Sequence, residues 1–508
     1  MPGNTRRRFV KGCATAAMVG GVLAQSSAGS STDDKDEGNG LPPRPPEAAT
    51  GWSAYRGGYG NAAAVGADHG FGDGFEFEAL EPDWESDAAG LPVVDDGTVY
   101  LSSEGTVHAL DADDGTLVWR SEDVGATDPP TVAYDTVYVG GSGSVTALDP
   151  AIGTVLWQTD LADSDTGTAD ADPDTDATVS PPTVAFGTAY AYCDGRLYAL
   201  DAETGAVDWT RDSVTVTQGD PWEDQATVER SLAGDPVATD EYVFAIAEAG
   251  TLVGFDPLTG EQRVTTDTYY HYLLDLAATD DRVYVRTGSE AVAAYDQATG
   301  EREDAWHGPI RRIAVREDVL IFVTRYELVA VDLETGDQRW TVGNYSHTIG
   351  APVIACNTVL VGFGVEGREY ENSLVAFDIA DGSERWAFSR TGTDQIGERC
   401  AVADRTIYVD DGGLTAIRAG DGDEDGDSDP TDRADRRTER NENDGLDESG
   451  EVAAEDEEPT ESTRTTDDER GANDAALRSD DSGKVTDDTS DDGQRSRSLW
   501  RTILTLLR

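Results

Sequence analysis

The sequence has few cysteines: Cys13, Cys193, Cys356 and Cys400 are the only four in 508 residues. No two form a C-x-x-C pair for zinc, no C-x-x-C-H for haem occurs, and their wide spacing gives no disulfide framework. Three small buried or half-buried thiols, Cys193, Cys356 and Cys400, are the expected outcome in the mature chain. Lysine is almost missing. Lys11, Lys35 and Lys484 stand alone, so arginine supplies nearly all of the 38 basic residues set against 101 acidic ones. The net charge of −63 repels phosphate backbones and excludes nucleic acid as a partner. No apolar run reaches the ~20 residues of a membrane-spanning helix. No G-x-S-x-G nucleophile motif is present, and no two of the five histidines have metal-ligand spacing. Between residues 51 and 419 no stretch sustains a 3.6-residue period, so no helical domain is expected there.

The acid excess has two readings, a site for a cationic partner or an adaptation to molar salt. At about 1 M salt the Debye length is ~3 Å, so dispersed carboxylates hold water without repelling one another strongly. Scattered acid with retained arginine and depleted lysine points to a halophilic organism, an archaeon. At the N-terminus "TRRRFVK" (Thr5–Lys11) resembles the twin-arginine export signal. A short apolar run from Ala14 to Ala24 follows it, and small residues suited to cleavage stand at Ser26–Ala28. Cys13 precedes the apolar run, which excludes it as a lipid-anchor cysteine. Twin-arginine export of a folded protein to the cell surface or beyond is expected.

Five zones are legible. Residues 1–28 form the signal, and 29–50 a Ser/Asp/Gly/Pro linker. Residues 51–419 carry repeats. Residues 420–498 are an acidic tail too poor in apolar residues to fold alone, and 499–508 a short apolar end. The repeat runs A-h-D-x-x-[T/D]-G-x-x-x-W, where h is apolar. It occurs at Ala109–Trp119, Ala147–Trp157 with Ile152 at the [T/D] position, Ala199–Trp209, Ala330–Trp340 and Ala376–Trp386. Degenerate copies occupy Gly254–Val264 and Ala294–Asp304, the latter with Trp306 displaced by two. An eighth, from Leu414, has Arg418 where the aspartate belongs. A period near 40–50 residues means a propeller or solenoid.

Each unit reads as four strands of alternating β-branched and aromatic residues between Gly/Asp turns. The aspartate suits an Asx-turn after the third strand, and the glycine a positive φ. The tryptophans at 119, 157, 209, 340 and 386 offer flat faces for docking one blade on the next, with the small alanine leaving the gap. The last unit lacks a fourth strand, and "GFEFEALEPDW" (Gly74–Trp84) can supply it. The expectation is an all-β, eight-bladed propeller of four-stranded antiparallel blades, closed by an N-terminal strand. Such a ring leaves few exposed sheet edges, and a monomer is expected. The blades around Asp256 and Asp296, without tryptophan at the docking position, should dock more loosely.

The repeat resembles the tryptophan-docking motif of the quinoprotein, PQQ-type β-propellers, over roughly residues 51–419. That resemblance implies one of two classes. One comprises PQQ-dependent alcohol and sugar dehydrogenases, with PQQ and calcium as cofactors. The other comprises non-catalytic propellers, among them the lipoprotein scaffold of the bacterial outer-membrane β-barrel assembly machinery. Many of the dehydrogenases carry large insertions and a disulfide between adjacent cysteines. This chain has neither, and the family's calcium ligands and catalytic aspartate match no local motif here. The resemblance therefore implies a non-catalytic scaffold that binds a protein at the cell surface. A PQQ-dependent dehydrogenase and a ligand-sensing module are the alternatives.

First strands line a propeller's channel. Alignment of the blades places Leu91, Pro129, Pro181, Asp235, Asp275, Arg312, Ala351 and Arg399 at their entrances, with Arg311 and Glu398 alongside. This ring reads as a polar pocket for a ligand or partner, or as a solvated rim of internal ion pairs. His271, in "TYYHYLLD" before Asp275, is placed to stack a planar ligand, or packs between blades. "DGDEDGDSDPTD" approximates a calcium loop with Asp421, Asp423, Asp425, Asp429 and Asp432 as ligands, without the usual final glutamate. The alternative is an acidic linker. "LWRTILTLLR" aligns Leu499, Trp500, Ile503, Leu504 and Leu507 on one helical face, some 15 Å long at ~1.5 Å per residue. It suits peripheral membrane contact through Leu499–Leu507, or packing on the propeller itself.

Overall fold

The computed structural model describes residues 52–72, 75–161, 177–218, 226–248, 250–266, 273–287, 291–343, 350–364, 370–389, 400–410 and 412–419. The chain divides into two units, residues 1–425 and 426–508, and the second lies outside the described residues. The first is an eight-bladed β-propeller, and no α-helix occurs among the described residues. Blades 1 to 8 begin with the strands Val93–Asp95, Thr131–Ala133, Thr183–Ala185, Ala226–Ala238, Leu273–Ala278, Arg312–Arg316, Val353–Ala355 and Cys400–Ala403. Each of these touches the next, and the last touches the first, so they form the inner ring.

Second strands such as Val319–Val323 and Thr358–Phe363 are buried throughout. Blades stack face to face, which covers both sides of a central strand and explains its near-continuous apolar run. Fourth strands such as Val155–Asp160 lie on the outside, and exposed positions dominate them.

The repeated letters assemble one device. In blade 1 the Asp111 carboxylate accepts the Asp113 N–H at 2.8 Å, and the Gly115 N–H returns to the Asp111 carbonyl. Gly115 then takes φ +69°, a conformation that favours glycine. A β-bulge follows between Ala109 and Leu110, and it recurs at the equivalent place in blades 2 to 8. Beyond it the tryptophan crosses to the neighbouring blade. Trp119 lies over Gly153 of blade 2, and its indole N–H donates to the Pro150 carbonyl at 2.7 Å. Trp157 meets Gly205 and Ala202, Trp209 meets Gly260 and Pro257, and Trp340 meets Gly382 and Ile379 in the same way. The expected alanine gap is corrected here. Ala109 lies opposite Trp119 within its own blade, and what receives the indole is the bare glycine of the next turn.

Among the described residues three junctions differ. Val264 replaces the indole over Gly300. Asp304 stands in the docking place before Gly336, and nothing lies within 4 Å of where a Gly336 side chain would start. Trp386 is half-buried and stacks on Phe388.

The ring closes with Leu80–Ser86 beside Leu414–Ala419, and Trp84 falls opposite Ala416. The closing strand starts later than Gly74. Trp84 packs on Gly115, and its N–H donates to the Ala112 carbonyl. Arg418, standing where the turn aspartate is missing, pairs with Asp83 at 2.9 Å and donates to that same carbonyl.

Candidate functional site

The inner ring is lined by a segment that has no role in the repeat pattern. Residues 52–69 circle the inner ring and offer it backbone carbonyls. Those of Trp52, Ser53, Tyr59, Gly60, Ala62 and Ala63 accept the N–H groups of Val94, Val132, Ala238, Ala278, Val315 and Ile354 at 2.7–2.9 Å. These donors belong to the first strands of blades 1, 2, 4, 5, 6 and 7. Ala64–Val65 adds a short parallel strand to blade 7, and the His69 carbonyl accepts from Arg405 in blade 8. The approach is close: a methyl group on Gly60 would lie 2.5 Å from the Ala278 oxygen. The small residues of "YGNAAAVG" permit it.

The aligned positions Leu91, Asp235, Asp275, Arg312 and Ala351 each lie three residues before one of these belt-bonded residues. That places them about 10 Å from the belt along the strand. Arg56 spans part of this depth. It takes φ +60° and ψ +38°, uncommon for a residue with a side chain, so the local fold holds it against its own preference. Its guanidinium donates to Asp275 Oδ1 at 2.8 Å and to the Ile313 carbonyl at 2.5 Å. Arg286, opposite Asp275 in the second strand of blade 5, brings Nε to 3.8 Å from Asp275 Oδ2. That Nε is buried and makes no hydrogen bond. Burial and the charges of Arg312 and Arg56 press the Arg286 pKa downward, while Asp275 opposes them. Two guanidinium groups, those of Arg56 and Arg286, thus flank the Asp275 carboxylate.

The structure therefore gathers Asp275 and Arg312 with Arg56 and Arg286, two residues that the alignment of strand entrances passed over. Asp235 sits half-buried on the long first strand of blade 4, beside an irregularity between Ala233 and Val237, and Arg311 is exposed ahead of blade 6. His271, Glu398 and Arg399 lie outside the described residues. So do the proposed calcium ligands Asp421, Asp423, Asp425, Asp429 and Asp432, and the apolar end Leu499–Leu507. Among the described residues no group of three or more His, Cys, Asp or Glu side chains is placed to hold a metal ion.

Comparison with known proteins gives two kinds of likeness. The model of a family described as outer membrane protein assembly factor BamB matches residues 194–311 and 303–456. A curated relative, methanol dehydrogenase [cytochrome c] subunit 1 of Paracoccus denitrificans, is 34% identical over 83 residues. That match covers 15% of this chain and only 13% of the relative. Among solved structures, BamB from Moraxella catarrhalis superposes with a TM-score of 0.50 at 17% identity, over 69% of this chain and 99% of that one. Quinohemoprotein alcohol dehydrogenase from Comamonas testosteroni gives 0.53 at 15% identity, over 75% and 82%. At such identities these structures speak for the fold alone.

Proposed function

The chain belongs to the family described as outer membrane protein assembly factor BamB, and from that membership we propose that it is a non-catalytic, exported propeller that binds a protein partner as an assembly scaffold. The observation that carries this reading is the belt. The chain's own backbone runs along the inner ring, and its Arg56 is spent on Asp275, one of the charged residues at the strand entrances. Binding is then left to the outer surface. In this reading the protein passes through the twin-arginine route, works at the surface of a halophilic archaeal cell and is monomeric. Residues 1–28 are its removable signal, 29–50 and 420–498 its linker and acidic tail, and 499–508 a membrane or docking segment. The test is crosslinking at native salt in expressing cells, with identification of adducts by mass spectrometry. A discrete adduct with one exported protein is expected. Lack of any adduct, together with dye-linked alcohol oxidation after addition of PQQ and calcium, would overturn the reading.

A second reading, a PQQ-dependent dehydrogenase, is favoured by the buried Nε of Arg286, which makes no hydrogen bond. Arg56, Arg286 and Arg312 are chemically suited to the carboxylates of such a cofactor. When bound, PQQ would supply two-electron oxidation. The described residues offer no comparable donor set for its calcium.

A further inference from the structure

The outer edges of the blades are not alike. The two residues ahead of the docking position are Leu117 and Val118 in blade 1, Val155 and Leu156 in blade 2, and Val207 and Asp208 in blade 3. In blades 4 to 7 the same pair is charged or polar, as with Gln338 and Arg339 in blade 6. Blade 2 also carries Ile152 in its turn, where the other turns carry threonine or aspartate. These aliphatic side chains face water: Leu117 is 58% exposed, Ile152 61% and Leu156 53%. Among the described residues, every large exposed apolar side chain except Tyr326 lies on these three consecutive blades.

The patch is continuous because the docking device stitches it together. Trp119 sits on Gly153, so Leu117 and Val118 lead directly to the turn bearing Ile152. Trp157 sits on Gly205, two residues before Val207. The strands Leu117–Arg120 and Val155–Asp160 are the last in their sheets, so each presents an edge that an added strand can pair with. Exposed carboxylates border the patch at Asp113, Glu203 and Asp208. A second copy of this chain, itself at −63, would bring carboxylates against carboxylates.

We propose that the outer edges of blades 1 to 3 receive an extended apolar segment with basic flanks from a partner protein, added as a further strand. This rests on the scaffold reading and names its surface and the chemistry of its partner. The probe is a labelled short peptide of alternating valine and threonine with lysines at both ends. Its binding is followed by fluorescence anisotropy with the full chain, at the lowest KCl concentration that preserves the fold. The variant L117Q/V118R/V155Q/L156R changes only exposed side chains, and far-UV circular dichroism checks that it folds. Affinity in the variant is expected to fall at least about tenfold, since four aliphatic side chains no longer leave water. Unchanged affinity in the variant, or no binding to the unaltered chain, overturns the surface. Equal affinity for an aspartate-ended peptide overturns the basic partner. Sedimentation showing a dimer that the substitutions dissolve assigns the patch to a second copy instead. Turnover with PQQ would remove the scaffold reading, whereas these results bear on the surface alone.

Discussion

Gly153→Ala and Gly336→Ala isolate what the tryptophan wedge contributes to the ring. Both glycines occupy the same turn position with nearly the same backbone, φ +70° and +74°. Alanine in that left-handed conformation costs about 1–2 kcal/mol in either place. The surroundings differ. A methyl group on residue 153 would lie 2.3 Å from Trp119 Cε3 and 2.7 Å from Cδ2, and a rigid indole cannot swing aside as a flexible side chain would. Forcing it out adds about 1–3 kcal/mol of overpacking. Loss of the Trp119 N–H bond to the Pro150 carbonyl, 2.7 Å long, adds about 1 kcal/mol. At residue 336 nothing lies within 4 Å, so only the backbone cost remains. Urea unfolding followed by tryptophan fluorescence should place Gly153→Ala about 2–4 kcal/mol below Gly336→Ala. Equal destabilisation of the two variants would refute the argument that the bare glycine face is the docking surface.

Three further expectations follow from other parts of the molecule. Arg56→Met leaves Asp275 with Arg286 alone, at 3.8 Å; the cost should be on the order of 2–4 kcal/mol, and amide exchange at Val94, Ala238 and Ala278 should accelerate as the belt loosens, whereas unchanged exchange would deny the belt its anchor. The turn carboxylates are held below the usual range, Asp296 first by the Thr299 hydroxyl and Asp332 first by the Thr335 N–H. A depressed folded pKa stabilises above the unfolded value near 4 and loses that contribution as pH falls through the folded value, so unfolding titrations should show no loss from these groups between about pH 5 and 8 and a decline below about pH 4. Burial pushes the Cys193 and Cys400 thiols up to about 12, so neither should react with a disulfide reagent at about pH 8 until the protein unfolds; rapid labelling of either in the native state would contradict their burial.

The ring was legible in the sequence because the repeat encodes its own joints. Asp, Gly and Trp at fixed spacing specify a turn, a left-handed residue and a wedge, and the missing fourth strand of the eighth unit pointed to the segment around Trp84. The receiving surface of the wedge was not legible. An indole beside a regularly spaced alanine and a glycine could use either, and only the folded contact of Trp119 with Gly153 decides between them. The belt escaped because it binds through main-chain carbonyls, which leave no residue pattern beyond the small side chains of residues 60–66. Of the charged ring, Asp275 and Arg312 could be aligned from strand starts. Arg286 could have been found too, since its guanidinium interrupts "RVYVRT", a second strand of a type otherwise almost wholly apolar. Arg56 could not, because nothing local ties it to a strand 219 residues away.

The most direct test of the scaffold account is titration of the purified protein with PQQ and calcium in multimolar KCl. Tryptophan fluorescence reports binding, and a dye-linked assay reports alcohol oxidation. The account expects neither a saturable change nor turnover, because the belt and Arg56 already engage the inner ring. Saturable binding with turnover, lost in Arg286→Ala, would contradict it and make this chain a dehydrogenase.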